Sequence, residues 1–500
     1  MLCILLFSAL FAYSYGDMST NCNFAWSVVN TQDGGFMAAG NAWLYGPGDH
    51  DYWIAKLDGL GQMSYSRAFG WPSNDYCHSV IQTPDGGYAL AGFGYRPTGD
   101  SNDVLVIRLD TSGHMAWARA FGGADRDRAY SIIADGDKGF VVAGYSESFG
   151  SGNQDFLVLR LDSLGGLMWA RTFGGPWCDS AWSVIRTVDG DFLVAGTTNG
   201  FGAGGMDFLL VKVDPMGNLI WARTYGSTIL DDAFGLAPCQ DGGFVVAGRT
   251  NGFGAQGTDF LVMRAEADGN PLWATVVGGP QTEFCYSVCS TYDGGFAAGG
   301  FTSSFGGGSW DQMIIKLDSL GNLLWTTTIG WEWGDFIYSI AEAPDHALVI
   351  AGTSENTWGG FMVAKVGEDG SYPSCAMGAS PSVMSVTLIT NPAPLEVDSP
   401  LIFAVTASIG EVTTYKLRYK MCDLLEAEEE AGDKTGGVRV LLAPGGATFF
   451  SPGPVELRIY SSSGRLVHQE LLHQGENPVS LVRGIYFWIA EKFKGNVVVR

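Results

Sequence analysis

The chain has 500 residues, 46% of them hydrophobic and only 16% charged, with 71 glycines, 29 phenylalanines and 16 tryptophans. That length exceeds what one hydrophobic core holds, and few charges with many glycines and aromatics suit an all-β protein rich in tight turns. The formal net charge of −24 repels phosphate backbones and anionic lipid, which excludes nucleic acid as a partner.

Residues Leu2 to Tyr13 are almost wholly apolar, and Ser14-Tyr15-Gly16 offers small residues of the kind a signal peptidase reads. The run is too short for a permanent transmembrane anchor, so residues 1–16 read as a cleaved export leader, although no Lys or Arg precedes it. Cys22 follows Ser19-Thr20-Asn21, which lacks the residues of a lipoprotein box.

The next stretch, residues 17–378, is periodic. An Ala-Gly or Gly-Gly pair ends at Gly40, Gly92, Gly144, Gly196, Gly248, Gly300 and Gly352, 52 residues apart each time. The same spacing governs Trp26, His78, Tyr130, Trp182, Phe234, Tyr286 and Tyr338, and again Tyr65, Trp117, Trp169, Trp221, Trp273 and Trp325. Each unit carries strand signals separated by turns: in the third copy AYSIIA, GFVVAGYS, DFLVLRLD and LMWARTFGG. Asp-Gly-Gly turns at Asp33, Asp85, Asp241 and Asp293 supply the local hydrogen bond and positive φ of a hairpin. The third strands are apolar on both faces, as a sheet packed on both sides requires. These features predict an all-β protein: a seven-bladed β-propeller of 52-residue, four-stranded blades, followed by a small β-sandwich-like C-terminal domain. The fourth-strand Trp is expected to wedge between blades, and the Ala-Gly pair to let neighbouring sheets approach near the axis.

Asp214, Gly217, Asn218 and Trp221, and Asp318, Gly321, Asn322 and Trp325, resemble the D-x-x-G-N-x-x-W pattern of the bacterial repeat called SBBP. The resemblance spans roughly residues 20 to 372. It implies a propeller fold and an extracellular setting without an assigned activity.

The seventh unit is three residues short between Ser354 and Phe361, and its fourth strand, expected near Gly370 to Met377, contains Pro373. A closed ring would bring Cys22 and Cys375 together, so a Cys22–Cys375 disulfide is expected. The other cysteines are scattered without CxxC spacing and read as buried thiols. Residues 379–436 read as a Ser/Thr/Pro-rich and then acidic linker with some strand, and residues 437–500 as a β-domain. Within it Val455 to Tyr460, Gly464-Arg465-Leu466-Val467 and Gly484-Ile485-Tyr486-Phe487 resemble a type IX secretion sorting domain. That resemblance implies the export machinery as a partner and the cell surface or medium as destination.

No motif carries catalysis. Gly200 to Gly205 and Gly252 to Gly257 match GxGxxG, but both sit between two strands of a blade and read as turns. HExxH and GxSxG are absent from the sequence. An acidic column, Asp75, Asp127, Asp179, Asp231, Glu283 and Asp335, recurs every 52 residues in the loops joining blades, with Asn23 in the first unit. These carboxylates are candidate ligands for a cation such as Ca²⁺ or for a hydroxyl-rich glycan. The competing reading, which is favoured, has each carboxylate accept backbone N–H bonds in its own turn, because a residue present in every repeat serves the repeat. Asp135 with Asp137 is a second calcium-like pair, and no other cofactor is expected.

Phe149, Phe201, Phe253 and Phe305, on glycine-rich loops, either present rings to a ligand or tuck between blades. The leading function is therefore an exported, non-catalytic propeller that binds an extracellular glycan, peptide or protein on its loop face, or forms part of a surface layer. The alternative is a secreted propeller enzyme, glycan-cleaving or quinone-dependent. A glycosidase requires two carboxylates at a set separation in one cleft.

Overall fold

The computed structural model describes residues 11–15 and 23–372, apart from 44–45, 97–100, 137–138, 254–256, 331–333 and 355–359, together with the backbone of strands between 376 and 499. Cys22, Cys375 and Asp137 lie outside the described residues.

Seven antiparallel sheets follow one another along the chain. In the first blade the inner strand Phe24–Asn30 pairs with Phe36–Trp43, then His50–Leu57, then the outer strand Met63–Gly70. The turn after each inner strand is closed by its glycine, as at Gly34 with φ 79°, and the Asp33 carboxylate accepts the Gly35 N–H at 3.1 Å. In the seventh copy His346 holds that position at φ 67°, a backbone conformation costly for a side chain with a Cβ. Its ring stacks on Tyr292 with centroids 3.6 Å apart.

Every inner strand carries a bulge, and the bulged residue is the aromatic of the 52-residue column. A bulge leaves one residue outside the ladder and re-aims its side chain. The Ala-Gly pair has a second role besides the expected one. A Cβ on Gly40, Gly92 or Gly144 would collide with the carbonyl of Phe24, Tyr76 or Arg128 in the same blade. The glycine thus makes room for the bulge of its own sheet, and at Gly92 and Gly196 also for Tyr52 and Phe156 of the preceding blade.

The open edge of the inner strand presents an amide two residues past the bulge, and the blades use it to interlock. The N–H of Val80 donates to Ser27 Oγ at 3.2 Å, Ile132 to Ser79 at 3.3 Å and Val184 to Ser131 at 3.2 Å, each from one blade to its predecessor. The ring closes by the same device: Val28 N–H donates to Ser339 Oγ at 3.2 Å. Apolar packing closes with it, since Trp53 of the first blade meets Phe361 of the seventh edge-on at 4.4 Å inside one buried cluster. The fourth-strand indoles wedge as expected. Trp169, Trp273 and Trp325 donate Nε1–H to Pro215, Ser319 and Glu368 carbonyls in the turn of the next blade, at 3.0–3.1 Å.

A buried basic column, missed in the sequence, ties the hairpins down. Lys56, Arg108, Arg160, Lys212, Arg264, Lys316 and Lys365 pair with Asp33, Asp85, Asp135, Asp189, Asp241, Asp293 and Asp345. Asp135 is therefore held by Arg160 rather than offered to a cation.

The seventh blade closes differently from expectation. Its fourth strand is not Gly370 to Met377 but Phe11–Tyr15, antiparallel to Phe361–Lys365. The turn at Gly367–Ser371 forms, yet the chain then leaves for the sixth blade, where Ala376–Gly378 pairs with the outer strand. Phe11–Tyr15 lies inside the segment read as an export leader, so cleavage after Gly16 would leave that blade three of its four strands.

From there a belt runs backwards around the ring. Ser382–Ser385, Ile389–Pro392, Glu396–Asp398, Phe403–Thr406 and Gly410–Thr414 each add a strand to the outer edge of the fifth, fourth, third, second and first blades in turn. Ala376, Val383, Thr390, Val397, Ala404 and Glu411 face Ile329, Val277, Tyr225, Phe173, Phe121 and Phe69, a step of seven residues per blade. Seven extended residues reach at most about 25 Å, and each added strand covers an edge that would otherwise offer unpaired backbone groups.

The second compact unit, Tyr419–Arg500 with Asp17–Asn21, holds two antiparallel sheets. One joins Arg439–Ala443, Gly446–Ser451 and Gly475–Ser480, and the other has the order Leu466–Leu472, Val455–Ser461, Gly484–Ala490, Phe493–Val499. Among the described residues no helix is long and apolar enough to cross a membrane.

Two outcomes follow from this architecture. Ser339→Ala orphans the Val28 amide at the closure and is expected to cost about 1–3 kcal/mol in denaturant unfolding. A chain ending at Tyr372 is expected to exchange the outer-edge amides of Val277, Phe173 and Phe69 faster than the full chain does, as read by hydrogen exchange.

Candidate functional site

The bulged aromatics meet around the axis. Ring centroids of consecutive members are 4.9 Å apart for Trp26 and His78, 4.7 Å for His78 and Tyr130, and 4.4 Å for Tyr130 and Trp182. The circuit continues at 5.6 Å to Phe234, 5.4 Å to Tyr286 and 5.2 Å to Tyr338, and returns to Trp26 at 4.1 Å. Seven rings, each in contact with the next, form a continuous aromatic circuit around the axis, within the distances aromatic pairs prefer. Among these rings the His78 imidazole is pushed down to about 3, by burial first and then by the nearby Arg128 charge, so it stays neutral.

Two residues before each axial aromatic, toward the loops that join the blades, a second tier rings the axis: Phe24, Tyr76, Arg128, Ser180, Asp232, Phe284 and Phe336. All but Asp232 are half-buried. The tier is asymmetric. On one side Phe284 stacks on Phe301 at 5.0 Å, and Phe301 and Trp310 meet Phe336 at 4.9 and 5.5 Å. Tyr76 contacts His50 at 5.3 Å and Phe93 at 5.1 Å. On the other side Ser180 Oγ donates to Gln154 Oε1 at 2.9 Å, and Arg249 pairs with Asp232 while lying 4.1 Å over the Phe284 ring. The mouth thus joins an aromatic arc to a polar one. The exposed Trp177, Ile229 and Trp310 stand on the loops of the same face.

The acidic column is not part of this mouth. Asp75, Asp127, Asp179, Asp231, Glu283 and Asp335 are all at most 1% exposed. Each of the first five accepts the N–H of a residue four positions earlier: Trp71 at 2.6 Å, Gly123 at 2.7 Å, Gly175 at 2.8 Å, Ser227 at 2.6 Å and Gly279 at 2.7 Å. The geometry sets each carboxylate beneath its own turn. Among the described residues no three acidic, His or Cys side chains gather as a metal site. The phenylalanines of the glycine-rich loops turn inward too: Phe149, Phe201, Phe253 and Phe305 pack on the buried clusters between blades. The loop of Gly200 to Gly205 folds onto Asp207, whose Oδ2 accepts the Ala203 N–H at 3.1 Å. Cys77, Cys239 and Cys285 are buried free thiols.

A second acidic column escaped the sequence reading although its spacing is the same: Asp51, Asp103, Asp155, Asp207, Asp259 and Asp311, all buried. It sits against the first. A Cβ on Gly70 would strike both Asp51 and Asp75, and one on Gly226 both Asp207 and Asp231. Two carboxylates so close and so dry cannot both ionise cheaply. Burial pushes Asp75 up to about 9 and Asp51 up to about 7, and it holds Asp103 and Asp207 at about 6. Backbone N–H groups aim at several of these oxygens, and burial favours the protonated form of the raised members. Away from the mouth, on the opposite face, a groove of about 490 Å³ runs between the second and third blades. Its charges are spent on each other, Arg108 to Asp85 at 2.6 Å.

No family model matches the chain. The regulatory protein FlaEY of Caulobacter vibrioides is 24% identical over 299 residues, 53% of this chain but only 31% of that protein. Among solved structures, PorZ, a surface component of the type IX secretion system of Porphyromonas gingivalis, aligns over 94% of this chain and 59% of its own at 12% identity and a TM-score of 0.40. A protein of unknown function from Bacteroides caccae aligns over 58% and 93% at 14% identity and a TM-score of 0.34. A glucose dehydrogenase aligns over 71% and 99% at 11% identity and a TM-score of 0.35. At these values none carries a functional argument, and the propeller stands on its own geometry.

The carboxyl pairs generate a pH dependence. Their folded pKa values lie above the unfolded 3.8, so the native ring binds protons more tightly. That stability is full below about pH 4 and is lost as pH rises through about 6 to 9. Asp33, Asp189 and Asp293 are lowered to about 2, despite burial, by Lys partners and turn hydrogen bonds, and they act in the opposite sense below pH 4. Thermal unfolding is expected to peak between about pH 4 and 6 and decline toward pH 9. Asp75→Asn should flatten the alkaline limb.

Proposed function

We propose that the chain is an exported, non-catalytic binding propeller whose ligand seats at the loop-face mouth of the channel. The observation that carries this reading is the mouth itself. Seven touching rings line the channel below it, and half-buried Phe24, Tyr76, Phe284 and Phe336 stand above them opposite a polar arc. A concave apolar surface with a few fixed polar groups is the usual form of a ligand site, and aromatic faces beside hydroxyl and amide groups suit a glycan. The apolar leader and the segment resembling a sorting domain support an extracellular location, with the export machinery as a second partner. The reading makes no use of the buried acidic columns.

Full-length protein on a glycan array is expected to retain a defined set of oligosaccharides, and the double variant Tyr76→Ala, Phe336→Ala to weaken them at least tenfold with unfolding temperature kept within a few degrees. Turnover of a polysaccharide or alcohol panel by the intact chain, unaffected by that variant, would instead favour the enzyme reading.

A further inference from the structure

Among the described residues, the mouth holds one charge without a carboxylate partner. Arg249 has its carboxylate, Asp232. Arg128, in the same tier two blades away, has none among the described residues. Its Nε donates to Asn102 Oδ1 at 3.1 Å, and its guanidinium lies 4.3 Å over Phe93 and 5.9 Å from the centre of Tyr145. The groups packed around it are Phe93, Tyr95, Tyr130, Tyr145, His78 and Asn102. Asp127, next to it in the strand, is buried and accepts the Gly123 N–H, and Glu147 of the same blade accepts from Gln154 Nε2 at 2.9 Å. Arg126 is exposed on the loop that leads into the same strand. In a chain of net charge −24, a half-buried guanidinium propped on aromatic rings at the axis is an unusual placement. An arginine held rigid in this way presents a planar fork that fits a carboxylate.

We propose that the ligand is an acidic oligosaccharide, a sugar chain bearing uronate carboxylates, with one carboxylate on Arg128 and sugar rings against the Tyr76 and Phe336 side of the mouth. This rests on the mouth being the binding site. The aromatic arc supplies faces for the apolar side of a pyranose, the polar arc supplies Gln154 and Ser180 for hydroxyls, and Arg128 sets the sign of the charge.

The test is calorimetric titration of the full-length protein with trigalacturonate and with its neutral methyl ester, on wild type, Arg128→Gln and Arg128→Lys. The expected result is measurable binding of the acid, at least tenfold weaker binding of the ester, and a tenfold or greater loss of acid binding in Arg128→Gln. Partial retention in Arg128→Lys and unchanged unfolding temperature in both variants complete the expectation. Equal affinity for acid and ester, or acid binding unaffected by Arg128→Gln, overturns the proposal. If neutral oligosaccharides bind and are lost on Tyr76→Ala, Phe336→Ala, the mouth stands as the site and only its acidic specificity fails. If no saccharide of either charge binds, the mouth reading fails with it. Tighter binding of a polyglutamate peptide than of trigalacturonate also overturns the sugar assignment.

Discussion

A ring of sheets carries a constraint that a stack of sheets does not: the last must pack on the first as well as it packs on its predecessor. Here that contact uses the same parts as every other. The serine hydroxyl that receives the next blade's amide recurs at the closure between Ser339 and Val28, and the axial aromatics complete their circuit between Tyr338 and Trp26. Both lie at the bulge in the inner strand. It throws the aromatic toward the axis, and two residues further along the open edge stands the amide that the neighbour's serine takes. Around it stand a glycine that makes room for the inner-strand carbonyl, and a buried Lys or Arg that anchors the hairpin. The fifth blade lends the sixth no such oxygen, because Gly235 occupies its serine position and lies against the Val288 amide.

The repeat was legible because its columns keep a single spacing. Blade number, strand order, turn type and the wedge of the fourth-strand indole all follow from that register. Three features were not read. The basic column alternates Lys with Arg and slips by three residues in the seventh copy, at Lys365, so it does not align by identity. The second acidic column, from Asp51 to Asp311, was visible in the same spacing. The belt obeys a step of seven residues in strands of only three to five, and its partners lie up to about 340 residues away, as for Glu411 and Phe69. Pro373 marks where the chain abandons the seventh blade, and Phe11–Tyr15, with its alternating aromatics, supplies the missing strand.

The site was legible only in outline. Spacing located the acidic loops but could not say that their carboxylates point beneath the turns, because burial is a property of the folded ring and not of the column. The axial column was recognised as aromatic without showing that its members touch. The second tier was invisible, since Phe24, Tyr76, Arg128, Ser180, Asp232, Phe284 and Phe336 share a position and no chemistry. That loss of repetition is itself informative. Where every copy keeps a residue, it serves the blade; where the copies diverge around one axis, the ring becomes asymmetric and can recognise something asymmetric.

The central claim is that seven blades close around an axis lined by seven touching aromatic rings. An experimental density map of the full-length protein, viewed down that axis, tests it most directly. It should show seven blades, with Trp26 packed against Tyr338 and the aromatic circuit unbroken. A ring of six or eight blades, a gap between the first and seventh, or a break in the circuit would contradict the account.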